Sequence, residues 1–161
     1  PLGARLPDVQ DDVFNVGGEE FVFQGQLEMM PPKLQKDKIV EHAFMFLNAP
    51  YQWGGKTPFG IDCSGLVQSV YRMAGRQMPR DAYQQAECGT VLSFIEEAEP
   101  GDLAFFDNEE GEIIHVGIIL NDYHIIHAHG KVRIDTLDHS GIFNKDILKH
   151  THKLRVIKKI I

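Results

Sequence analysis

The order of apolar patterns along the chain predicts an α+β fold, with helices first and an antiparallel β-sheet after them. Between residues 33 and 88, apolar side chains recur at the spacing of amphipathic helices. Between residues 91 and 160, short apolar stretches are separated by turn residues such as Pro100-Gly101-Asp102. Helices followed by strands, without regular alternation, are typical of the α+β class. The 161 residues are enough for one domain with its own core.

Three helices are predicted in the first half of this region. The first begins after Pro31-Pro32 and ends near Asn48, the second runs over 62–74, and the third spans 81–88. Six strands are predicted after them, over residues 91–95, 103–106, 113–120, 123–128, 132–134 and 154–160. Residues 1–32 carry four prolines and two acidic pairs and are predicted to form an N-terminal arm with small strands. Residues 33–161 are predicted to form the domain.

The composition argues against two classes of function. The net charge of −7 is unfavourable for binding nucleic acid, which requires clustered Lys and Arg. No apolar run approaches the roughly 20 residues that cross a bilayer, so no transmembrane segment is predicted. The two cysteines, Cys63 and Cys88, lie in dissimilar surroundings, and no disulfide is expected between them.

Cys63 stands where the second helix is predicted to begin. Free N–H groups at a helix start favour a thiolate and can hold a developing oxyanion during acyl transfer. These properties make Cys63 a candidate nucleophile. From this residue alone, a buried structural cysteine is an equally good interpretation.

Two histidines in neighbouring apolar strands are candidate partners for a thiolate. His115 lies in the most apolar strand, and His127 lies in the next one. A two-residue turn between the strands would set Val116 opposite His127 and turn His115 to the other face. A three-residue turn over 121–123 would place both histidines on one face as diagonal neighbours. His115 would then be the base and His127 its orienting partner, with His129 as the rival for that second role.

A metal site is the competing use of the histidines. His127-x-His129 and His150-x-His152 are pairs that can bind zinc. The chain has no Cys-x-x-Cys and no His-Glu-x-x-His, and no carboxylate stands at ligand spacing. We therefore expect no metal and no cofactor in the reaction.

Six motifs, in order, carry a resemblance to a known family. They are Tyr51-x-Trp53-Gly54-Gly55, Asp62-Cys63-Ser64-Gly65, Pro79-Arg80, Pro100-Gly101-Asp102-Leu103, His115-Val116-Gly117-Ile118 and Ile126-His127-Ala128. From about residue 33 to the C-terminus the chain resembles the NlpC family of bacterial cell-wall cysteine peptidases. The resemblance implies a papain-like core with the helices packed on the sheet. It also implies Cys63 as nucleophile, His115 as base and His127 as third member of the triad.

The resemblance implies a substrate-binding set as well, consisting of Asp62, Ser64, Tyr51, Trp53 and Arg80. In relatives that require a free N-terminal L-Ala, the matching aspartate helps to bind the amine. For Asp62 and Ser64 the competing interpretation is helix capping. For Tyr51 it is core packing, and for Arg80 it is a salt bridge that orders a loop.

The implied reaction is hydrolysis of peptidoglycan stem peptides or muropeptide fragments, most often between γ-D-glutamate and meso-diaminopimelate or L-lysine. The alternatives are a papain-like amidase or acyltransferase and an inactive cell-wall binding module. A monomer in the bacterial envelope, periplasmic or secreted, is expected, with a cytoplasmic recycling enzyme as the other location. Residues 1–32 are interpreted as a linker or the remnant of an SH3-like domain.

Overall fold

The computed structural model describes residues 1–121 and 123–160 and shows an α+β fold. Its helices are α1 (Lys36–Phe44), α2 (Cys63–Met73) and α3 (Ala82–Gln85), with a 3₁₀ turn at Ile95–Glu97. Its strands are β1 (Val13–Val16), β2 (Glu19–Val22), β3 (Lys56–Thr57), β4 (Gly60–Ile61), β5 (Thr90–Leu92), β6 (Leu103–Asp107), β7 (Ile113–Ile119), β8 (His124–His129), β9 (Lys131–Asp138), β10 (Gly141–Asn144) and β11 (Lys149–Lys159). Among these described residues, no helix has the length and apolar character needed to cross a membrane.

The large sheet closes on itself, which the sequence analysis did not predict. Each of the strands β6 to β10 pairs antiparallel with the next, and the long strand β11 pairs with β6 on one side. On its other side β11 pairs with β10 over its first half and with β5 over its last residues. Six strands therefore form a barrel-like ring, and β5 is attached beside it. Strand β10 was missed, and β11 begins at residue 149 rather than 154.

The two faces of the sheet support two apolar cores. On β6, Leu103 and Phe105 pack with the buried side of α2, whereas Ala104 and Phe106 pack with other strand residues inside the ring. This alternation follows from the pleat of a β-strand. Helix α2 is further fixed by Tyr71, whose hydroxyl donates to the carbonyl of Gly101. The last turns of α2 are thus held against the loop that precedes β6.

The N-terminal segment contains small strands, as predicted. Strands β1 and β2 pair as a hairpin around Gly17 and Gly18, which have φ values of 63° and 88°. Positive φ values of this kind favour glycine. Before the hairpin, the carbonyl of Gly3 accepts a hydrogen bond of 2.6 Å from Arg72 on α2. The beginning of the chain is therefore in contact with the helix that carries the candidate nucleophile.

Candidate active site

Helix α2 begins at Cys63 because Asp62 caps it. The backbone of Asp62 is extended, with φ −97° and ψ 176°, and its Oδ1 accepts a hydrogen bond of 2.7 Å from the N–H of Gly65. Gly65 also allows close packing, since a Cβ there would lie 2.3 Å from the carbonyl oxygen of Gly55. The helix start is consequently pressed against the preceding loop, and Cys63 is almost completely buried.

The surroundings of Cys63 disfavour its thiolate. Burial raises its pKa above the ordinary value, and the nearby N–H groups of Val116, Ser64 and Cys63 itself offset this effect only in part. The N–H groups of the helix start thus lower this pKa as expected, but burial outweighs them. The contact with the N–H of Val116 places the sulfur beside the residue that follows His115.

The histidine pair has the geometry that the three-residue turn requires. Strand β7 pairs with β8 so that Gly117 lies opposite His127, which makes His115 its diagonal neighbour on the same face. The Nε2 of His115 lies 2.8 Å from the Nδ1 of His127. The predicted register is thus confirmed. The left-handed residue in the described part of this turn is Tyr123, with φ 56°.

Asp135, which was not predicted from the sequence, continues the chain of hydrogen bonds. Its Oδ2 lies 3.0 Å from the Nε2 of His127, and Arg133 donates to both carboxylate oxygens at 2.6 and 2.8 Å. A carboxylate can only accept, so His127 carries its proton on Nε2. Its Nδ1 then accepts from the Nε2–H of His115. The remaining nitrogen of His115, Nδ1, is therefore free to take a proton.

The pKa values of His115, His127 and Asp135 are set by burial and by the hydrogen bonds that join the three side chains. Burial, together with the neighbouring rings of His152, His127 and His129, lowers the pKa of His115 well below its usual range. Burial also lowers the pKa of His127, and Asp135 opposes this shift only in part. Burial would raise the pKa of Asp135, but its bonds to His127 and Arg133 outweigh that effect and lower it to about 2. Burial thus favours the neutral forms of both imidazoles, whereas the surroundings of Asp135 favour its carboxylate.

A fourth histidine, His152, joins the site from strand β11. Its ring stacks on that of His115 with centroids 4.1 Å apart, and it meets His127 edge to face at 5.6 Å. Burial and the rings of His127 and His129 lower the pKa of His152 to about 3. Within the pair considered for zinc, His150 instead lies on the exposed side of the strand, so the two members separate. Ring nitrogens of His115, His127 and His152 lie within 4.8 Å of one another, a spacing that can hold a metal ion.

The Asp62 carboxylate is occupied by the protein itself. Arg80 donates to its two oxygens at 3.1 and 2.6 Å, and the N–H groups of Gly54 and Gly65 donate at 2.8 and 2.7 Å. The Ser64 hydroxyl also accepts from Arg80 at 2.9 Å. Burial would raise the pKa of Asp62, but these donors outweigh it and lower the pKa. Helix capping and loop ordering, the competing interpretations of Asp62 and Arg80, are therefore realised here.

The two aromatic candidates differ in position. Tyr51 is partly buried, and burial together with the proximity of Cys63 and Asp62 raises the pKa of its hydroxyl. Tyr51 therefore lies beside the candidate nucleophile. The side chain of Trp53 is 86% exposed and is not packed into the site.

Comparison with known proteins places the chain in a family. The sequence pattern of the NlpC/P60 family matches residues 48–152. The γ-D-glutamyl-L-lysine dipeptidyl-peptidase of Bacillus subtilis (strain 168) is 38% identical over 121 residues, which is 72% of this chain and 40% of that protein. A Listeria seeligeri protein named "Probable endopeptidase p60" is 38% identical over 104 residues, covering 64% of this chain and 20% of its own length. The chain thus spans less than half the length of these relatives.

Solved structures agree with the sequence comparison. The crystal structure of the NlpC/p60 domain of the peptidoglycan hydrolase SagA is 27% identical, with a TM-score of 0.63. The similarity covers 79% of this chain and 100% of that domain. An NLP/P60 family protein of Staphylococcus aureus, described as similar to lipoprotein, is also 27% identical, with a TM-score of 0.63 over 91% of this chain and 52% of its own.

Proposed function

The chain belongs to the NlpC/P60 family, and from this membership we propose that it is a cysteine peptidase acting on peptidoglycan stem peptides. The bond we assign to it joins γ-D-glutamate to the following diamino acid, L-lysine or meso-diaminopimelate. The observation that carries the proposal is the hydrogen-bonded pair of His115 and His127 beside the capped helix start that bears Cys63. The family resemblance supplies the substrate class.

In the first step, the Nδ1 of His115 takes the proton of the Cys63 thiol. This direction is set by His127, which already accepts the proton on the other ring nitrogen of His115. The thiolate then attacks the carbonyl carbon of the γ-glutamyl bond and forms a tetrahedral intermediate. The N–H groups of Cys63 and Ser64 at the start of α2 are the donors we assign to its oxyanion.

In the second step, the imidazolium of His115 returns its proton to the leaving amine, and an acyl-enzyme remains on Cys63. The positive charge on His115 is stabilised through His127 by the Asp135 carboxylate, which stays ionised. Water, deprotonated by the same nitrogen of His115, then releases the γ-glutamyl product. Asp135 and Arg133 act as positioning residues, since they lie behind His127 rather than beside the thiol.

Recognition of the substrate is assigned to the loop before α2 and to Arg80. Tyr51 is beside the thiol and is the first candidate for contact with the peptide. A free substrate amine would have to share the Asp62 carboxylate with Arg80, whose two bonds already occupy it. We place the protein at the cell envelope because the substrate is a cell-wall peptide.

The test is mass spectrometry of L-Ala-γ-D-Glu-L-Lys and of L-Ala-γ-D-Glu-meso-diaminopimelate, each beside an N-acetylated copy. Release of the free diamino acid is expected from the parent protein, and at least a thousandfold less from Cys63→Ala. Cys88→Ala is the matched control and should keep the parent rate, because Cys88 follows α3 and its thiol donates to the carbonyl of Gln84.

Each pattern of cleavage has a distinct meaning. Cleavage of only the free-amine peptides would assign a dipeptidyl-peptidase, whereas cleavage of both forms would assign an endopeptidase. Hydrolysis by Cys63→Ala at the parent rate would contradict the nucleophile assignment. No cleavage of any peptide by a protein that iodoacetamide still modifies at Cys63 would overturn the substrate assignment and favour another acyl substrate.

A further inference from the structure

Four imidazoles meet at one end of the closed sheet, although the proposed reaction uses only two of them. His115 and His127 come from β7 and β8, His129 ends β8, and His152 comes from β11. The ring centroids of His129 and His152 are 4.9 Å apart, and those of His115 and His152 are 4.1 Å apart. Imidazole nitrogen is the commonest protein ligand for zinc and related metal ions.

Two of these rings have outer partners that orient them as metal ligands. The Asp135 carboxylate keeps the proton of His127 on Nε2, so that its Nδ1 carries a lone pair toward the cluster. The Thr151 hydroxyl, which donates to the carbonyl of Ile142, lies 2.9 Å from the Nδ1 of His152. That hydroxyl can accept a proton from Nδ1 and leave Nε2 bare. A carboxylate, a backbone carbonyl or a water behind each ligating ring is the usual arrangement at protein metal sites, and the Thr151 hydroxyl offers the same kind of acceptor.

The size of the cluster is close to that of a tetrahedral site. The ligand nitrogens of His115, His127 and His152 lie within 4.8 Å of one another. Zinc–nitrogen bonds of about 2.0–2.1 Å place tetrahedral ligands about 3.4 Å apart. The nitrogens of His115 and His127 lie 2.8 Å apart and must separate by about 0.6 Å to reach this spacing. The larger adjustment falls to His152. Its ring must turn out of the stack on His115, and it is the least buried of the three.

We propose that His115, His127 and His152 form an inhibitory site for a divalent transition metal ion such as Zn²⁺. The ion replaces the proton that lies between Nε2 of His115 and Nδ1 of His127. Each imidazole keeps one proton, on Nδ1 of His115, on Nε2 of His127 and on Nδ1 of His152. With its proton on Nδ1, His115 cannot accept the proton of Cys63. This inhibition rests on the proposed peptidase function, whereas the binding of the ion does not.

Binding is measured by titrating Zn²⁺ into Cys63→Ala protein in a calorimeter, because this variant removes the thiol as a ligand. One ion per chain is expected. The test variant is His152→Phe in the same background, since phenylalanine keeps a ring on His115 but offers no ligand atom. The affinity should fall by more than the roughly 10- to 100-fold that loss of an outer partner costs.

The matched control is His150→Phe, which removes an exposed imidazole from the same strand and should leave the affinity unchanged. Absence of binding to Cys63→Ala, or equal binding by His152→Phe, would overturn the site. Equal thermal unfolding of the two phenylalanine variants in EDTA is the check that both fold. Co²⁺ in place of Zn²⁺ gives a second reading, because a tetrahedral nitrogen site produces visible d–d bands that His152→Phe should abolish.

Inhibition is measured on the protein with Cys63 intact, and each variant is compared with its own rate in EDTA. Zn²⁺ should stop hydrolysis by the parent and by His150→Phe, and it should require at least tenfold more metal for His152→Phe. Hydrolysis that Zn²⁺ leaves unchanged would refute the inhibitory role while the peptidase proposal stands. A protein that binds Zn²⁺ as expected but hydrolyses nothing in EDTA would refute the peptidase proposal instead.

Discussion

At the scale of single residues, two carboxylates that share Arg133 have different surroundings. Asp135 is buried and accepts from both Arg133 and His127, whereas Asp146 is exposed and accepts from Arg133 at 2.7 Å. Asp135 therefore fixes the tautomer of His127, and through it the free nitrogen of His115. Asp146 only extends the ion-pair network toward solvent.

Asp135→Asn is expected to lower kcat by about ten- to a hundredfold with little change in KM, as loss of the outer partner does for a metal-ligating histidine. Either orientation of the amide turns an N–H toward a donor, His127 or Arg133, and the charge that stabilises the imidazolium is lost. Asp146→Asn is the matched control and should keep both constants within about twofold. Both constants are measured by steady-state kinetics on a γ-glutamyl peptide. A parent-like kcat for Asp135→Asn would show that Asp135 has no part in the proposed mechanism.

Some site residues could be recognised from their local sequence, whereas others could be recognised only once the pairing of the strands was known. Cys63, His115 and His127 stand out because a helix start and apolar strands surround them. Asp135 lies in a strand whose polar residues resemble a solvent-facing side. Its place became visible only with the pairing of β8 and β9, in which Ile125 lies opposite Asp135 and His127 opposite Arg133. His152 was hidden for the same reason, because β11 reaches the site through the closure of the sheet.

At the scale of elements, the loop between β7 and β8 decides whether the histidines can meet. Ile119 lies opposite Ile125, and the N–H of Leu120 donates to the carbonyl of His124, so the connection contains three residues. A connection of two would move every side chain of one strand to the other face. Gly117 lies opposite His127 and leaves room for the His115 ring to reach it diagonally.

The left-handed residue of this loop, Tyr123, is a position where stability can be gained. Its φ of 56° is unfavourable for a residue with a Cβ, at about 1–2 kcal/mol. Tyr123→Gly removes that strain but gives the unfolded chain about 0.4–1 kcal/mol of extra entropy. A net gain of about 0.5–1 kcal/mol is expected in urea unfolding, with unchanged peptidase activity. Destabilisation by more than about 1 kcal/mol would mean that the exposed ring makes contacts that outweigh the strain.

At the scale of the whole molecule, helices and most strands could be predicted because their apolar periods are local. The closure of the ring could not be predicted in this way, because it depends on one strand, β11, which pairs with both β10 and β5 along the same side. Its first half reads His-Thr-His-Lys, a polar stretch without apolar alternation, and a bulge at Thr151 interrupts its pairing with β10. Closure brings His152 to His115 and thereby gathers three imidazoles in one place, of which His115 and His127 are buried and His152 is half-buried.

The buried imidazoles make the free energy of unfolding depend on pH. The pKa values of His115, His127 and His152 are lowered in the folded chain, chiefly by burial, while an unfolded histidine titrates near 6.5. Below that pH the unfolded chain binds protons that the folded chain does not, so stability falls as the pH falls. Each such group contributes a loss of up to about 1.4 kcal/mol per pH unit, and none of this loss is present well above 6.5.

The contribution of one imidazole can be isolated by comparing urea unfolding at about pH 7.5 and about pH 5.5, with EDTA present. His152→Phe should reduce the loss of stability between these conditions by about 1.4 kcal/mol, because one proton uptake by the unfolded chain disappears. His150→Phe, which changes an exposed ring on the same strand, is expected to retain the parent's full loss. If His152→Phe also retained it, the His152 ring would take up its proton in the folded protein, and the closed end of the sheet would be open enough to solvate that charge.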